Sequence, residues 1–298
     1  MKSHRTWTHA VRLMAAALLT ASAAHAADVD MLDCSGLPCI SVKSENAAPL
    51  KLLIDTGDAY SIIDTNRAKA LGLALVPAKD RSGKPAPGYF FATLKSVKVG
   101  QETLGDVKFL ALDIAKDIAK GTFPRADGSI AYTDLKNRLL TLDYRRHVVS
   151  LSDASAGVPC PVTCGVVSYP TFGRKGPPIV VASGFRVNGQ NVSVQIDTLY
   201  SGTMLIYPTS VAKLGLAAQA SSSRVQNFPY TDGGVDMVEG SALYEAFGKK
   251  TLLANAPLYF ATPKVHLPDG MFDGTVGAGL FAGHVVNLDF HANHFWME

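Results

Sequence analysis

The 298-residue chain carries 28 basic and 25 acidic residues, a net charge of +3. Lys2, Arg5 and Arg12 account for that excess, so beyond residue 26 the chain is neutral and has no electrostatic reason to seek nucleic acid or anionic lipid. No run after the first 26 residues approaches the roughly 20 uninterrupted apolar residues that a membrane span needs, and the remaining length suits one large domain or two of roughly 100 to 150 residues.

In chain order, residues 1–26 read as a targeting segment. A basic start is followed by an apolar stretch over 13–20 and a small-x-small site at Ala24-His25-Ala26. Export to the periplasm or beyond follows as the expectation. Cys34 and Cys39 come next, and Cys160 and Cys164 much later. In an exported chain two local disulfides are the preferred reading, although four cysteines allow three connectivities and a zinc site is the rival.

Residues 50–54 form an apolar, alternating strand ending at Asp55-Thr56-Gly57. A short helix over 65–71 stops at Gly72, and a Gly- and Pro-rich hairpin turn follows at 81–88. Strands are predicted over 93–99, 107–112, 139–142 and 148–151. A linker rich in Gly, Pro, Ser and Val is expected over 155–178, dividing a lobe at 27–154 from one at 179–298. The second lobe opens with a strand over 192–196 ending at Asp197-Thr198, then a helix over 208–214 with Pro208 in its first turn. A turn at 231–234 and strands over 252–253, 258–260 and 285–288 complete it.

The two halves echo each other. Ile54-Asp55-Thr56-Gly57 returns as Ile196-Asp197-Thr198-Leu199 after 142 residues, and Leu71-Gly72-Leu73 as Leu214-Gly215-Leu216 after 143. Asp127-Gly128 returns as Asp273-Gly274, and Leu142-Asp143-Tyr144 as Leu288-Asp289-Phe290, both after 146. A near-constant offset across separate motifs marks an internal duplication, and a two-fold relation between the copies would bring the two strand-end aspartates face to face.

Such a pair has a definite chemistry. Like charges about 3 Å apart cannot both ionise, so the carboxyls share a proton. The ionised member can take a proton from water while its protonated partner polarises a carbonyl oxygen. Glycine lets the chain turn sharply after the aspartate, and a threonine hydroxyl can bond across to its twin.

On these residues the chain resembles the retropepsin and pepsin group of aspartic proteases, in its two-lobed exported form. The likeness rests on Leu53-Ile54-Asp55-Thr56-Gly57 with Ser61 six places after the aspartate, and on Gln195-Ile196-Asp197-Thr198 with Thr203. It extends to Asp273 through Gly277 ahead of Leu288-Asp289-Phe290, and so covers most of residues 45–298. The resemblance implies an all-β, two-lobed acid-protease fold with short helices, and an activity that hydrolyses peptide bonds without cofactor or metal. It implies Asp55 and Asp197 as the dyad, Thr56 and Thr198 as its braces, and Gly57, Ser61 and Thr203 as supports. Flaps would descend from 80–93 and 226–240, with Tyr89 closing over a peptide or protein substrate. One chain completes one cleft, so a monomer suffices.

Three positions depart from the family pattern. Leu199 stands where glycine is expected, Asp58 adds a carboxylate beside the pair, and Ala131 replaces a later glycine. Asp58 turned outward would select basic substrates. Drifted specificity, or a silent protein that still binds peptides, is the alternative these positions raise. His291 and His294 lack an acidic or cysteine cluster and read as turn residues, not metal ligands. Gly277 through Ala282 resembles a dinucleotide-binding fingerprint, but too few residues follow for a βαβ unit. Asn191-Val192-Ser193 reads as a hairpin turn, and the serines at 221–223 lack a nucleophile-elbow context.

Overall fold

The apolar run ending at Asp55 becomes a strand because its residues are buried on both sides, Leu50, Leu52, Leu53 and Ile54 all being nearly inaccessible. The computed structural model describes residues 28–298 except 46, 81, 122, 154–163, 172–175, 222–224, 229–234, 247–249 and 262–270. The expected leader, Cys160, Ser222, Ser223 and the predicted turn at 231–234 lie outside the described residues. No helix among the described residues is long and apolar enough to cross a membrane.

The first half runs β1 (Val29–Asp30), β2 (Leu32–Cys34), β3 (Leu37–Ser44), β4 (Ala47–Asp55), β5 (Ile62–Asp64), α1 (Thr65–Ala70), β6 (Val76–Lys79), β7 (Pro85–Val99) and β8 (Glu102–Leu112). It continues through α2 (Ala115–Lys120), β9 (Gly128–Ala131), α3 (Tyr132–Leu135), β10 (Arg138–Asp143) and β11 (Val148–Asp153). The second half runs β12 (Gly165–Ser168), β13 (Val181–Val187), β14 (Gln190–Ile196), β15 (Met204–Ile206), α4 (Pro208–Val211), α5 (Ala217–Ser221), β16 (Val225–Phe228) and β17 (Val235–Ala246). β18 (Lys250–Ala261), β19 (Gly274–Val276), α6 (Ala278–Phe281), β20 (Val285–Asp289) and β21 (His294–Met297) complete it.

The architecture is all-β and two-lobed with a few short helices. The strand order β3-β4-β9-β5-β8-β7-β6 of the first lobe, closed by β3 on β7, recurs in the second as β13-β14-β19-β15-β18-β17-β16, closed by β13 on β17. Even strand direction is copied: β9 is parallel to β4 and antiparallel to β5, and β19 is parallel to β14 and antiparallel to β15. The lobes share a third layer, β1-β11-β10-β20-β21-β12, in which β10 meets β20 antiparallel. Their register pairs Leu140 with Leu288 and Leu142 with Val286 about a central Thr141–Asn287 pair. Because Thr141 and Asn287 are twins at the 146-residue offset, the two-fold axis passes between them, and Thr141 Oγ1 donates to Asn287 Oδ1 at 2.8 Å.

Two expectations change in detail. The turn-rich 81–88 stretch contributes its second half to β7, since Pro85 already pairs with Lys79. The 155–178 stretch holds a strand, β12, paired with β13 and β21. Of the cysteines, Cys34 and Cys39 are bonded to each other and Cys164 is also disulfide-bonded.

The repeated Asp-Gly is a structural latch. Asp127 Oδ2 accepts from Lys51 N on β4 at 2.8 Å and pairs with Arg67 on α1. Asp273 Oδ2 accepts from Ser193 N on β14 at 2.9 Å, while its carboxylate binds Ser210 and the Lys213 ammonium at 2.8 Å. Each aspartate thus ties the strand leading to a site loop to the helix that follows it. The glycine after it is required by proximity: a β-carbon on Gly128 would lie 2.0 Å from Ile62 O, and on Gly274 2.2 Å from Leu205 O. Burial works to raise the Asp273 carboxyl, but Lys213, Ser193 N–H and Ser210 outweigh it and hold it below the usual range. Its stabilisation is therefore present above the unfolded carboxyl's titration and is lost as pH falls through the lowered folded value. Asp273→Ala should cost about 2–3 kcal/mol in urea unfolding at neutral pH, with a smaller difference in strong acid.

Candidate active site

At the ends of β4 and β14 the two Asp-Thr loops face each other across the two-fold axis, and the threonines lock them. Thr56 N donates to Thr198 Oγ1 and Thr198 N to Thr56 Oγ1, both at 3.1 Å. Thr56 Oγ1 donates to Ile196 O at 2.8 Å and Thr198 Oγ1 to Ile54 O at 2.5 Å. Each hydroxyl therefore accepts from one strand of the opposite lobe and donates to the same strand. Both threonines are fully buried, where such bonds face no competition from water.

The carboxyls are set by backbone amides. Asp55 Oδ1 accepts from Gly57 N and Asp58 N, each at 3.0 Å. Asp197 Oδ1 accepts from Leu199 N at 2.9 Å and Tyr200 N at 3.2 Å. Gly57 touches both groups: its N–H bonds Asp55, and a β-carbon built on it would lie 2.3 Å from Asp197 Cγ. Burial first, then the neighbouring charges of Asp197 and Asp58, raises the Asp55 carboxyl well above the ordinary range against the pull of the Asp58 and Gly57 amides. Burial also raises Asp197, opposed by the Leu199 and Tyr200 amides and reinforced by Asp58.

The positions that depart from the family pattern are accommodated. Leu199 does not have positive φ, so the strain that a bulky residue would suffer in a left-handed turn does not arise. Its side chain packs on the apolar cluster of Cys34, Leu37, Cys39, Leu53 and Ala278, extending across to the first lobe. Ala131 is fully buried in extended backbone at φ −83°. Asp58 keeps its Oδ1 on the Ala59 and Tyr60 amides at 2.6 and 3.1 Å, and faces the cleft.

The remaining sequence candidates divide. Ser61 accepts from Ala131 N at 2.8 Å and donates to Asp134 Oδ2 at 2.5 Å, so its hydroxyl is engaged by α3 and not by the dyad. Thr203 Oγ1 donates to Pro257 O, securing β18. Tyr89 lies on the β6–β7 hairpin and is 47% exposed. It is absent from the walls of the cavity. His291 N caps the turn at Asp289 Oδ1, as Arg145 N does at Asp143 Oδ1 in the first lobe.

A cavity of about 510 Å³ opens over the pair, with Asp55, Asp58 and Asp197 on its floor and Asp117, Tyr200 and Tyr207 among its walls. Gln195 and Thr275 line it as well. Sequence reasoning missed Tyr207, Asp117 and Asp134. The signal for Gln195 was present: it is polar where the matching strand of the first lobe has Leu53.

Residues 40–131 match the family model described as aspartyl protease. Among solved structures, the crystal structure of Basic 7S globulin from soybean aligns over 91% of this chain and 93% of that one, with a TM-score of 0.50 and 12% identity, a likeness of fold. No curated protein sequence matches. Lobe order, loop pairing and the matched first lobe converge: residues 40–131 are similar to the aspartyl protease family, and the chain has an all-β, two-lobed aspartic-protease-like fold.

Proposed function

We propose that this protein is an exported aspartic endopeptidase in which Asp55 and Asp197 share one proton. The observation that carries the reading is the contact of both carboxyls with Gly57 inside a reciprocal threonine brace. The ionised carboxylate takes a proton from a water molecule, whose oxygen adds to the peptide carbonyl carbon while the protonated partner gives its proton to the carbonyl oxygen. Collapse of the gem-diol intermediate breaks the C–N bond: the leaving nitrogen takes a proton from one carboxyl while a gem-diol hydroxyl gives its proton to the other, so the product acid forms and the shared-proton state returns. The substrate is an extended peptide lying in the cleft, over which the β6–β7 hairpin with Tyr89 closes to exclude water. Both halves of the site come from one chain, which acts as a monomer. The leader-like start and the Cys34–Cys39 disulfide support a periplasmic or secreted location.

A peptide library incubated across the pH range tests the reading. Only the singly protonated pair is competent, so cleavage should follow a bell-shaped profile. Both carboxyls titrate above the ordinary aspartate range, which displaces the profile toward mildly acidic pH. If the unmodified protein cleaves nothing between acid and neutral pH, the silent peptide-binding alternative takes its place.

A further inference from the structure

Three side chains of the second lobe form a directed hydrogen-bond chain that ends on the first lobe's loop. Gln195 Nε2 donates to Gly57 O at 3.1 Å, and Thr275 Oγ1 donates to Gln195 Oε1 at 3.3 Å. Tyr207 OH stands 2.7 Å from Thr275 Oγ1. Because the single threonine proton is committed to Gln195, the tyrosine must be the donor. The first lobe keeps hydroxyls at the first two positions of this chain and lacks the amide at its end. Its twin positions are Thr65 for Tyr207, Ser129 for Thr275 and Leu53 for Gln195. Thr65 Oγ1 and Ser129 Oγ are buried without a hydrogen-bond partner. Where the leucine replaces the amide, the facing loop residue is Leu199, and the cross-lobe contact is the apolar cluster that contains Leu53. The molecule therefore grips one loop by a polar clamp and the other by an apolar one.

We propose that Gln195, oriented by Thr275 and Tyr207, is a positioning residue that fixes the Gly57 peptide against the two aspartates. The proposal rests on the peptidase reading, since the group it positions is the dyad. Gly57 carries both connections: its carbonyl is held by Gln195, and its N–H holds Asp55. A slack Gly57 would loosen the distance between the two carboxyls.

Two variants test this. Gln195→Leu copies the first lobe's residue and removes the clamp at every pH. Gln195→Glu keeps the shape: when protonated, the new carboxyl can donate to Gly57 O and accept from Thr275, and when ionised it has no proton to donate. The titratable groups around the same cavity are Asp55, Asp58, Asp117, Asp197, Tyr200 and Tyr207, and the four carboxyls favour the protonated form. Gln195→Leu should lower kcat about ten- to a hundredfold with KM nearly unchanged. Gln195→Glu should match the wild type in acid and fall to the leucine variant's level as pH rises. Wild-type rates for both variants at all pH values, or a raised KM with kcat intact, would overturn the proposal. Thermal unfolding of the same three proteins against pH gives a readout that needs no turnover. A gap between Gln195→Glu and wild type that widens with pH supports the clamp, and a flat one rejects it. If the wild type cleaves nothing, the peptidase reading fails and the unfolding comparison still decides whether Gln195 holds Gly57.

Discussion

Asp55→Asn is expected to abolish cleavage and, at neutral pH, to make the protein more stable. Loss of activity follows from the shared proton, because an amide can neither take a proton from water nor pass one to the substrate. The expected fall in kcat is on the order of 10³ to 10⁴. The gain in stability follows from the same geometry. Asp55 is 5% exposed and faces the charges of Asp197 and Asp58, so ionising it costs more in the folded protein than in the unfolded chain. A carboxyl whose folded value is raised contributes its full stability below the unfolded value and loses it as pH climbs through the folded one. The asparagine variant escapes that loss. It should unfold at a higher temperature than the wild type at pH 7, by about 1–2 kcal/mol, or about 2–4 °C per kcal/mol for a protein of this size. Below about pH 3, where both proteins are neutral at this position, the advantage should vanish. Scanning calorimetry beside peptide cleavage on the same samples checks both parts. A variant that loses activity without gaining stability at neutral pH would mean that the carboxyl pair is not under electrostatic stress.

How far this site could be read beforehand depended on whether a residue's role was local or set by a distant partner. Asp55 and Asp197 were legible because each ends an apolar strand and the motif is duplicated. The threonine brace followed from the same repeat. The Asp127 and Asp273 motif was equally visible, yet its purpose was not, since Arg67 and Lys213 reach it only after the intervening strands have folded. Ser61 was named as a support through the resemblance, but its partner Asp134, 73 residues later, was not legible. β12 could not be foreseen in a stretch rich in glycine and proline, because one of its two partners is β21, more than 120 residues later. Leu199 is the clearest case. A residue replacing glycine is strained only where the turn demands positive φ, and here the turn is made with ordinary backbone while the side chain joins an apolar cluster across the lobe boundary.

That arrangement makes the two loops unequal, and Gly57→Ala exposes the inequality. Gly57 does not occupy the left-handed region, so its backbone alone would accept alanine. What forbids the extra carbon is the opposite carboxyl: the methyl group would lie 2.3 to 2.6 Å from Asp197 Cγ, Oδ1 and Oδ2. Asp197 has little freedom to retreat, because Leu199 N and Tyr200 N hold its Oδ1. The lobes cannot part without breaking the four threonine bonds. The carboxyls must therefore move relative to each other. A displacement near 1 Å costs about a hundredfold in rate, and overpacking of this kind costs about 1–3 kcal/mol of stability. Leu199→Gly at the twin position should do the reverse, keeping turnover near the wild-type rate while losing roughly 1–2 kcal/mol of apolar packing against the Cys34–Cys39 side of the first lobe. Steady-state kinetics and thermal unfolding of the two variants side by side distinguish contact from conformation. Equal tolerance of both substitutions would contradict a site in which one glycine touches both carboxyls, whereas an inactive Gly57→Ala beside an active Leu199→Gly is the result that this contact requires.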